Sequence, residues 1–455
     1  MISLRPSGRL LPDHVNELLV SRREWGRRIA TLVSAVLVGI VAIFFAQAGD
    51  MAHALFQRVR AIDPLIPLVM TPLIFVAIAA AQMRFAPEAA GSGIPQVIAA
   101  SRQPRGRVSR RLVSLRAAIA KIFFTLAALA GGGTVGREGP TVQLGAAIMV
   151  AVHRLLRVPM TPGVLIAGGA AGVAAAFNTP LAGIAFAIEE LAVAYEQRVA
   201  VLVMGAVMIA GLTAQGIAGN YVYFGEMEAG GLSIVTIVVA APLLGIAGGI
   251  LGGLFSRWML ALRGPDGRFA KLLGKRPLVT ALVCGIVVAL LGLVSGGMTS
   301  GTGYEPTRVM LEGGGGEWWY GPAKFAATLA TSASGIAGGI FAPSLAVGAG
   351  FGQLMTGFFP TEQAGMIVLL GMAGYFTGVV RAPLTGVIIL SEATGSSHAI
   401  LPLFATALIG DWAGSMVCRK RLYHELAKSF LPRTGFSKAE GTAQKGQRRA
   451  SSSIS

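Results

Sequence analysis

Long uninterrupted apolar runs constrain this chain most, because several of them reach the length that a helix needs to cross a bilayer. A helix of about 20 apolar residues spans the hydrocarbon core. Only 13% of the residues are charged, against about 25% in soluble domains, and 54% are hydrophobic. The sequence therefore predicts an all-α polytopic membrane protein, with spanning runs near 30–48, 63–82, 112–131, 199–217, 232–255, 278–296 and 397–417.

Other apolar runs are too short to span a bilayer or are broken by glycine and proline. Short, interrupted hydrophobic segments at corresponding positions of two halves point to the binding site of a transporter. The interrupted runs lie at 141–152, 162–177, 180–194, 322–333, 343–358, 365–379 and 383–392.

The two halves of the chain correspond at one constant offset. Gly136 aligns with Gly339, an offset of 203 residues (339 − 136), and a proline follows four residues later in both. The stretch NTPLAGIAFAIEE at 178–190 aligns with RAPLTGVIILSEA at 381–393 at the same offset. Two motif pairs that share one ungapped offset indicate an internal repeat. The interrupted helices favour inverted repeats, although the sequence does not give their orientation directly.

The net charge of +17 comes from basic residues that fall in discrete connecting segments. The clearest are the N-terminus, 101–111, 257–276 and the tail from Arg419. The positive-inside rule places these segments, and with them both termini, in the cytoplasm. The segment GNYVYFGEMEAGG at 219–231 has no Lys or Arg and is expected outside. This distribution predicts contact with membrane lipid and no nucleic-acid partner.

Cysteine and histidine spacing predicts no metal site. Cys284 and Cys418 lie in apolar or juxtamembrane sequence and are interpreted as small packed hydrophobic residues. The five histidines form no pair with metal-ligand spacing. We therefore expect neither a metal nor a cofactor.

One local pattern occurs three times: a glycine, three residues, a proline and then an apolar run that can form a helix. The instances are GSGIP at 91–95, GREGP at 136–140 and GIFAP at 339–343. Proline suits the first turn of a helix. A helix N-terminus offers unpaired amides and the positive end of the helix dipole to an anion. Three such ends in one membrane protein predict that they converge on one dehydrated anion.

Glu138 lies in the second of these motifs, at a predicted anion site. An ionised carboxylate can occupy the place of the anion, and a protonated one loses that attraction and can swing aside. Such a gate couples an anion to a proton without covalent chemistry. Glu189 or Glu190 offers a second proton station. Arg137 either draws anions in or anchors the structure, and Lys121 either has a buried partner or raises the potential for anions.

These motifs resemble those of the CLC family of chloride channels and chloride/proton antiporters. The resemblance covers about residues 30–430 and is carried by GSGIP, GREGP, GIFAP, FNTPLAGIAFAIEE and RAPLTGVIILSE in family order. It implies a homodimer with one pore per subunit, and a subunit made of two inverted repeats of tilted, often broken helices. We accordingly expect a cytoplasmic N-terminal segment at 1–29, repeats at about 30–220 and 232–430, and a disordered basic cytoplasmic tail at 431–455.

The resemblance also implies roles for particular residues. Ser92 matches the serine whose hydroxyl contacts the central anion, and Tyr423, in KRLYHEL, matches the tyrosine that contacts the same anion. Glu138 matches the gating glutamate, Glu190 the inner proton-transfer glutamate and Lys121 a buried lysine of the family. Backbone amides complete the sites: those of Ile340 and Phe341 at the central site, and those of Arg137, Glu138, Gly139 and Ala342 at an outer site.

These features predict chloride/proton exchange. Both Glu138 and Glu190 are present, whereas family channels commonly lack the inner acid. A serine at 92, rather than a proline, favours chloride over nitrate. A passive, voltage- or pH-gated chloride channel and a nitrate antiporter stay open as alternatives. An enzyme is not expected, because no nucleophile or metal partner accompanies Glu138. The absence of the family's paired regulatory domains favours the inner membrane of a bacterium.

Overall fold

The computed structural model describes residues 13–191, 197–219, 222–225, 234–396 and 399–431. Across these ranges the chain is helical, as the sequence predicts, and the only β pairing is one isolated bridge. A π-helical turn, Ala187–Leu191, follows α8 directly. The α-helices of these ranges are α1 (Asp13–Ile62), α2 (Ile66–Phe85), α3 (Ile94–Arg102), α4 (Arg107–Leu112), α5 (Leu115–Ala130), α6 (Glu138–Leu155), α7 (Pro162–Phe177), α8 (Pro180–Phe186), α9 (Gln197–Ala218), α10 (Ile234–Arg263), α11 (Ala270–Lys275), α12 (Pro277–Val294), α13 (Tyr304–Leu311), α14 (Tyr320–Ser334), α15 (Phe341–Gln353), α16 (Ala364–Val380), α17 (Pro383–Ala393), α18 (Ile400–Val417) and α19 (Leu422–Ala427).

The helices that are long and apolar enough to cross a membrane agree with most of the predicted spans. Six of the predicted runs coincide with such helices, but the prediction for 112–131 is wrong. That run folds into the 16-residue α5, because the Ser114 side chain caps its start and the chain leaves the helix at Gly131. The run 365–379, predicted to be short, lies instead in a 20-residue span. The seven described candidates are Trp25–Ile62, Ile66–Phe85, Ala200–Ala218, Thr236–Arg263, Pro277–Val294, Thr361–Val380 and Ile400–Val417.

The two predicted terminal segments overlap the described residues to different extents. Helix α1 runs for 50 residues from Asp13 and contains the first predicted span, so no helix ends at the expected boundary of the N-terminal segment at residue 29. Of the predicted tail at 431–455, only Leu431 lies among the described residues.

Four helices form the buried centre of the molecule. α6, α7, α15 and α16 are buried along most of their length, whereas α2 exposes large apolar side chains such as Leu73. Small residues let membrane helices approach closely. A Cβ on Gly168 would lie 2.7 Å from the carbonyl oxygen of Gly145, between α7 and α6. A Cβ on Gly371, its counterpart in the repeat, would lie 2.5 Å from the Cα of Gly352, between α16 and α15.

The predicted repeat appears as a direct contact between equivalent residues. The amide of Gly136 donates to the carbonyl of Gly339 at 2.8 Å, and the amide of Gly339 donates to the carbonyl of Gly136 at 2.8 Å. The pairing is antiparallel. The helices that follow, α6 and α15, therefore leave the bridge in opposite directions. The two repeats are inverted, as the broken helices led us to expect.

A second pair of equivalent residues makes the same reciprocal contact. The Glu189 carboxylate accepts hydrogen bonds from the amides of Leu384 at 2.9 Å and Thr385 at 2.7 Å, in the first turn of α17. Glu392, its counterpart, accepts from two amides in the first turn of α8 at 3.0 and 3.3 Å. A carboxylate at a helix N-terminus satisfies amides that have no acceptor within the helix. Each repeat therefore caps a helix of the other.

Candidate ion-transport site

The three glycine–proline segments meet at one place. A Cβ on Gly93, before α3, would lie 2.6 Å from the carbonyl oxygen of Gly139 in α6. A Cβ on Gly339, before α15, would lie 2.9 Å from the amide nitrogen of Gly139. Gly93 also has a φ of 111°, which L side chains rarely adopt. The N-termini of α3, α6 and α15 therefore lie side by side, and only glycine permits this approach.

Two buried hydroxyl oxygens lie beside these helix ends. Ser92 Oγ would be 2.5 Å from a Cβ on Gly139, at the start of α6. The ring of Tyr423 packs against that of Phe341, at the start of α15, with centroids 5.8 Å apart. The two hydroxyls lie close to each other, and neither meets hydrogen-bond geometry with any described residue. Because a buried polar group without a partner is costly, these two donors are available to a ligand.

Backbone amides surround the same place. Ile340 is the N-cap of α15, and Phe341 and Ala342 form its first turn. Arg137 is the N-cap of α6, followed by Glu138. The first amides of a helix have no acceptor within it and carry the positive end of its dipole. Gly139 completes the first turn of α6, so every amide that the sequence assigned to anion binding lies at one of these two helix ends.

The Glu138 carboxyl group lies between α15 and Tyr223. It is fully buried, and its Oε1 accepts a hydrogen bond from the Tyr223 hydroxyl at 3.3 Å. The carboxyl group also lies within reach of the backbone amides of Glu138 and Ala342, although Oε2 does not meet full hydrogen-bond geometry. Gly136 makes room for this oxygen, since a Cβ there would lie 2.3 Å from Glu138 Oε2 and 3.4 Å from the amide nitrogen of Ala342. A carboxylate here lies where the α15 N-terminus attracts negative charge.

Tyr223 is a site residue that the sequence reasoning missed. It falls in the segment 219–231, which was interpreted only as an external loop. The tyrosine is 3% exposed, and its ring packs edge-on against Phe177 and Tyr304. It also lines a cavity of about 1090 Å³ with Asp50 and His53. No periodic pattern or motif in its segment indicates a buried tyrosine.

The Arg137 side chain has the geometry of an anchor. Its Nη1 donates to the carbonyl of Ala46 at 2.5 Å and to Asp50 Oδ1 at 2.7 Å. Both partners lie on α1, so the guanidinium ties the start of α6 to the first helix. Of the two roles that the sequence left open for Arg137, this arrangement fits anchoring.

Lys121 has a buried partner, which the sequence named as one of two possibilities. Its Nζ donates to the carbonyls of Ala90 at 3.3 Å and Gly91 at 2.6 Å and so holds the segment that carries Ser92. Lys324, 203 residues later, is also fully buried and donates to the carbonyls of residues 299–301. Lys324 is a further buried lysine that the motifs do not mark, although the constant offset of the repeat leads directly to it.

The two consecutive glutamates occupy different surroundings. Glu189 is bound to the first turn of α17. Glu190 is fully buried, and its Oε1 lies 3.2 Å from Nδ1 of His424. The π-helical turn places one carboxyl against α17 and the other against α19. Glu189 is therefore a helix cap, and Glu190 is the buried acid that has no such bond.

The fold and the site together define a class of protein: a helical membrane transport protein in which helix N-termini surround a buried carboxyl group. A comparison with protein families identifies the particular family. The family model described as voltage-gated chloride channel matches residues 74–415. The chain belongs to this family, the CLC proteins.

Curated relatives match the chain over most of its length. The H(+)/Cl(−) exchange transporter ClcA of Vibrio cholerae serotype O1 is 33% identical over 413 residues, which cover 83% of this chain and 84% of that protein. The H(+)/Cl(−) exchange transporter ClcA of Yersinia pestis is 32% identical over 450 residues, which cover 91% and 90%. The chain is therefore similar to whole bacterial exchangers.

Solved structures share the fold at lower sequence identity. A slow cyanobacterial Cl⁻/H⁺ antiporter superposes with a TM-score of 0.76 at 23% identity, covering 90% of this chain and 99% of that one. A CLC-type fluoride/proton antiporter superposes with a TM-score of 0.73 at 22% identity, covering 88% and 96%. These similarities confirm the predicted CLC fold.

Proposed function

We propose that this protein exchanges chloride for protons across a membrane, with Glu138 as the gate and proton acceptor. One observation carries the proposal: the Glu138 carboxyl group lies at the N-terminus of α15, where three helix ends and two buried hydroxyls meet. The names of the bacterial relatives support the choice of ions. Because the chemistry needs only binding and proton transfer, the protein is a transporter and not an enzyme.

The central anion site is formed by neutral donors. The hydroxyls of Ser92 and Tyr423 and the amides of Ile340 and Phe341 bind chloride without a full positive charge. Neutral donors suit transport, because an anion must bind well enough to enter and weakly enough to leave. Lys121 acts through its hydrogen bond to Gly91, which fixes the segment that carries Ser92.

The outer position alternates between chloride and the Glu138 carboxylate. The ionised side chain accepts a hydrogen bond from the Tyr223 hydroxyl and lies beside Ala342. It therefore blocks the outer anion position, which is formed by the amides of Arg137, Glu138, Gly139 and Ala342. Protonation removes the negative charge and with it the attraction of the helix end. The side chain then leaves, and an anion takes its place. Protonation of Glu138 is thus coupled to the movement of the anion.

Glu190 takes the proton on the cytoplasmic side. It is fully buried, as Glu138 is, so a proton passes between two acids within the protein. We place the protein in the inner membrane of a bacterium as a homodimer surrounded by lipid, with both termini in the cytoplasm. The bacterial relatives and the basic connecting segments support this placement.

Transport by purified protein in liposomes tests the proposal. A chloride gradient is imposed while a potassium ionophore clamps the voltage, and the internal pH is followed. We expect uphill proton movement, and we expect Glu138→Gln to abolish it while chloride still moves, because the amide cannot accept the proton. Glu190→Gln should reduce proton flux selectively, and Glu189→Gln is the matched control for a neighbouring carboxyl.

Two results would contradict the proposal. Chloride flux without driven proton movement in the unaltered protein would make it a passive channel. Driven proton movement that survives in Glu138→Gln would exclude Glu138 as the coupling residue. The same assay with nitrate in place of chloride measures which anion is preferred.

A further inference from the structure

Glu190 has no route to solvent through its own side chain. Its carboxyl group is fully buried, and Oε2 has no hydrogen-bond partner among the described residues. An acid that passes protons to the cytoplasm needs a group that reaches both the acid and water. Within the described chain, the side-chain hydrogen bond to this carboxyl comes from His424, whose Nδ1 lies 3.2 Å from Glu190 Oε1.

His424 joins a buried environment to an exposed one. Its side chain is 24% exposed, whereas that of Glu190 is 0% exposed. The two residues are 234 positions apart in sequence, and α19, at the end of the second repeat, brings them together. Tyr423, the preceding residue, is fully buried against Phe341. One short helix therefore carries a chloride-site hydroxyl and an imidazole on different sides.

Two other carboxyl groups near α19 are already bound. Glu189 is held by amides and the hydroxyl in the first turn of α17. Glu425 lies 3.0 Å from Nζ of Lys420 and 2.9 Å from Nζ of Lys428. Glu190 is thus the acid to which His424 is hydrogen-bonded. Other ionisable residues lie on the helices that pack against α19 or directly before it. They are Arg102 on α3, Arg257 and Arg263 on α10, Tyr375 on α16, and Arg421 before α19.

We propose that His424 carries protons between the cytoplasmic solvent and Glu190. Imidazole suits this task, because one of its two ring nitrogens can accept a proton while the other gives one up. A proton from water binds Nε2, on the far side of the ring, and the Nδ1 proton passes to Glu190 Oε1. The carboxylate becomes a carboxylic acid, and the imidazole is left neutral with its proton on Nε2. Release toward the cytoplasm reverses these two steps.

This inference rests on the proposed exchange of chloride for protons and adds a proton-transfer residue to it. His424→Asn tests it, because the amide can keep the hydrogen bond to Glu190 but cannot carry a proton near neutral pH. In the liposome assay we expect His424→Asn to lower driven proton flux about ten-fold, a modest share of what a positioned acid–base group contributes. Chloride movement should persist, so the number of protons moved per chloride should fall.

A second variant distinguishes proton transfer by His424 from a purely structural role. His424→Ala should lose proton flux in the same way, and added imidazole should partly restore it by taking the vacant place. Lys428→Gln is the control, because it alters the same segment without removing the imidazole. The dependence of proton flux on pH should also change in His424→Asn and stay unchanged in Lys428→Gln.

The outcomes separate this inference from the proposed function. If the unaltered protein drives no protons, the exchange mechanism fails and the role of His424 fails with it. If the unaltered protein drives protons and His424→Asn does so equally well, only the role of His424 is overturned. Equal loss of proton and chloride flux, or no rescue of His424→Ala by imidazole, would also overturn it and leave His424 as a packing residue.

Discussion

At the residue scale, identical residue types acquire different roles from the helices that surround them. Glu189 and Glu190 are consecutive, and the sequence allowed either to be the inner proton station. In the fold Glu189 binds the first turn of α17, whereas Glu190 is buried beside His424. The distinction depends on contacts with residues about 200 positions away, so no local pattern could reveal it.

Tyr223 provides a prediction at this scale. Its hydroxyl donates to Glu138 Oε1 at 3.3 Å, and such a bond stabilises this position of the carboxyl group, the closed one in the proposed mechanism, by about 1 kcal/mol. Tyr223→Phe should release the carboxylate more easily and raise the chloride turnover about five-fold, since 1.4 kcal/mol corresponds to roughly ten-fold. Coupling should persist, because Glu138 is unchanged. Initial chloride efflux from liposomes measures the rate.

Tyr304→Phe is the matched control for this prediction. Its ring packs on Tyr223, with centroids 5.5 Å apart, but the hydrogen bond to Glu138 comes from Tyr223 alone of the two. An unchanged or slower turnover in Tyr223→Phe would mean that the hydroxyl does not stabilise the proposed closed position of Glu138.

At the scale of the elements, the broken central helices could be predicted and the shortest helices could not. Glycine and proline marked the starts of α6, α7, α15 and α17, so the predicted boundaries lie within a few residues of the observed ones. α4 and α19 have six residues each, and α13 has eight. Helices of so few turns are not stable in isolation, so they depend on tertiary packing. Their sequences therefore carry little periodic signal.

The close approach of the central helices leads to a second prediction. Gly168→Ala would place a Cβ 2.7 Å from the carbonyl oxygen of Gly145 and 2.8 Å from Ala146 Cα, so the helices must move apart. Overpacking of this kind costs about 1–3 kcal/mol. We expect Gly168→Ala to lower the melting temperature in detergent, and Gly371→Ala to do the same in the second repeat.

Gly205→Ala is the control for these glycine substitutions. Gly205 lies within α9, and a Cβ there meets no atom within 4 Å. The change should therefore leave the melting temperature unchanged or raise it slightly, because alanine favours a helix by up to about 1 kcal/mol over glycine. Equal melting temperatures for Gly168→Ala and Gly205→Ala would contradict the packing argument.

At the scale of the whole molecule, contacts between distant parts of the chain complete the site. Gly136 pairs with Gly339 across the two repeats, and Lys121 and Lys324 each hold a loop of their own repeat. α19, which follows the last span, packs against α3 in the first repeat and brings Tyr423 to the centre. The site is therefore assembled only when both halves and the C-terminal helix are in place.

The attachment of α19 gives a pH-dependent prediction. Burial alone would raise the pKa of Glu425, but hydrogen bonds from Lys428 and Lys420 outweigh it and hold the pKa below its ordinary value of 4.5. A carboxyl whose pKa is lower in the folded state stabilises that state fully above 4.5, and this contribution is lost as the pH falls through the folded-state pKa. Glu425→Gln should therefore lower the free energy of unfolding at pH 7 by about 1 kcal/mol or less, because the lysines are partly exposed. The melting temperature should fall accordingly. The difference in melting temperature between Glu425→Gln and the unaltered protein should shrink as the pH falls below 4.5.

Thermal unfolding in detergent across this pH range checks the prediction. Glu312→Gln is the control, because it breaks an exposed pair with Arg308 and should cost less. A deficit of Glu425→Gln that stays constant down to the lowest pH would show that the charge of Glu425 does not stabilise α19.

The sequence by itself determined the membrane class, the repeat, most of the spanning helices and the three helix starts that carry the site. These features depend on the lengths of apolar runs and on glycine and proline, which act locally on the backbone and recur at a fixed offset. Only the tertiary structure decided that Arg137 binds α1, that Tyr223 contacts Glu138 and that Glu190 lies beside His424. Those contacts join residues that are 85 or more positions apart, and buried polar groups find such partners only when the helices pack.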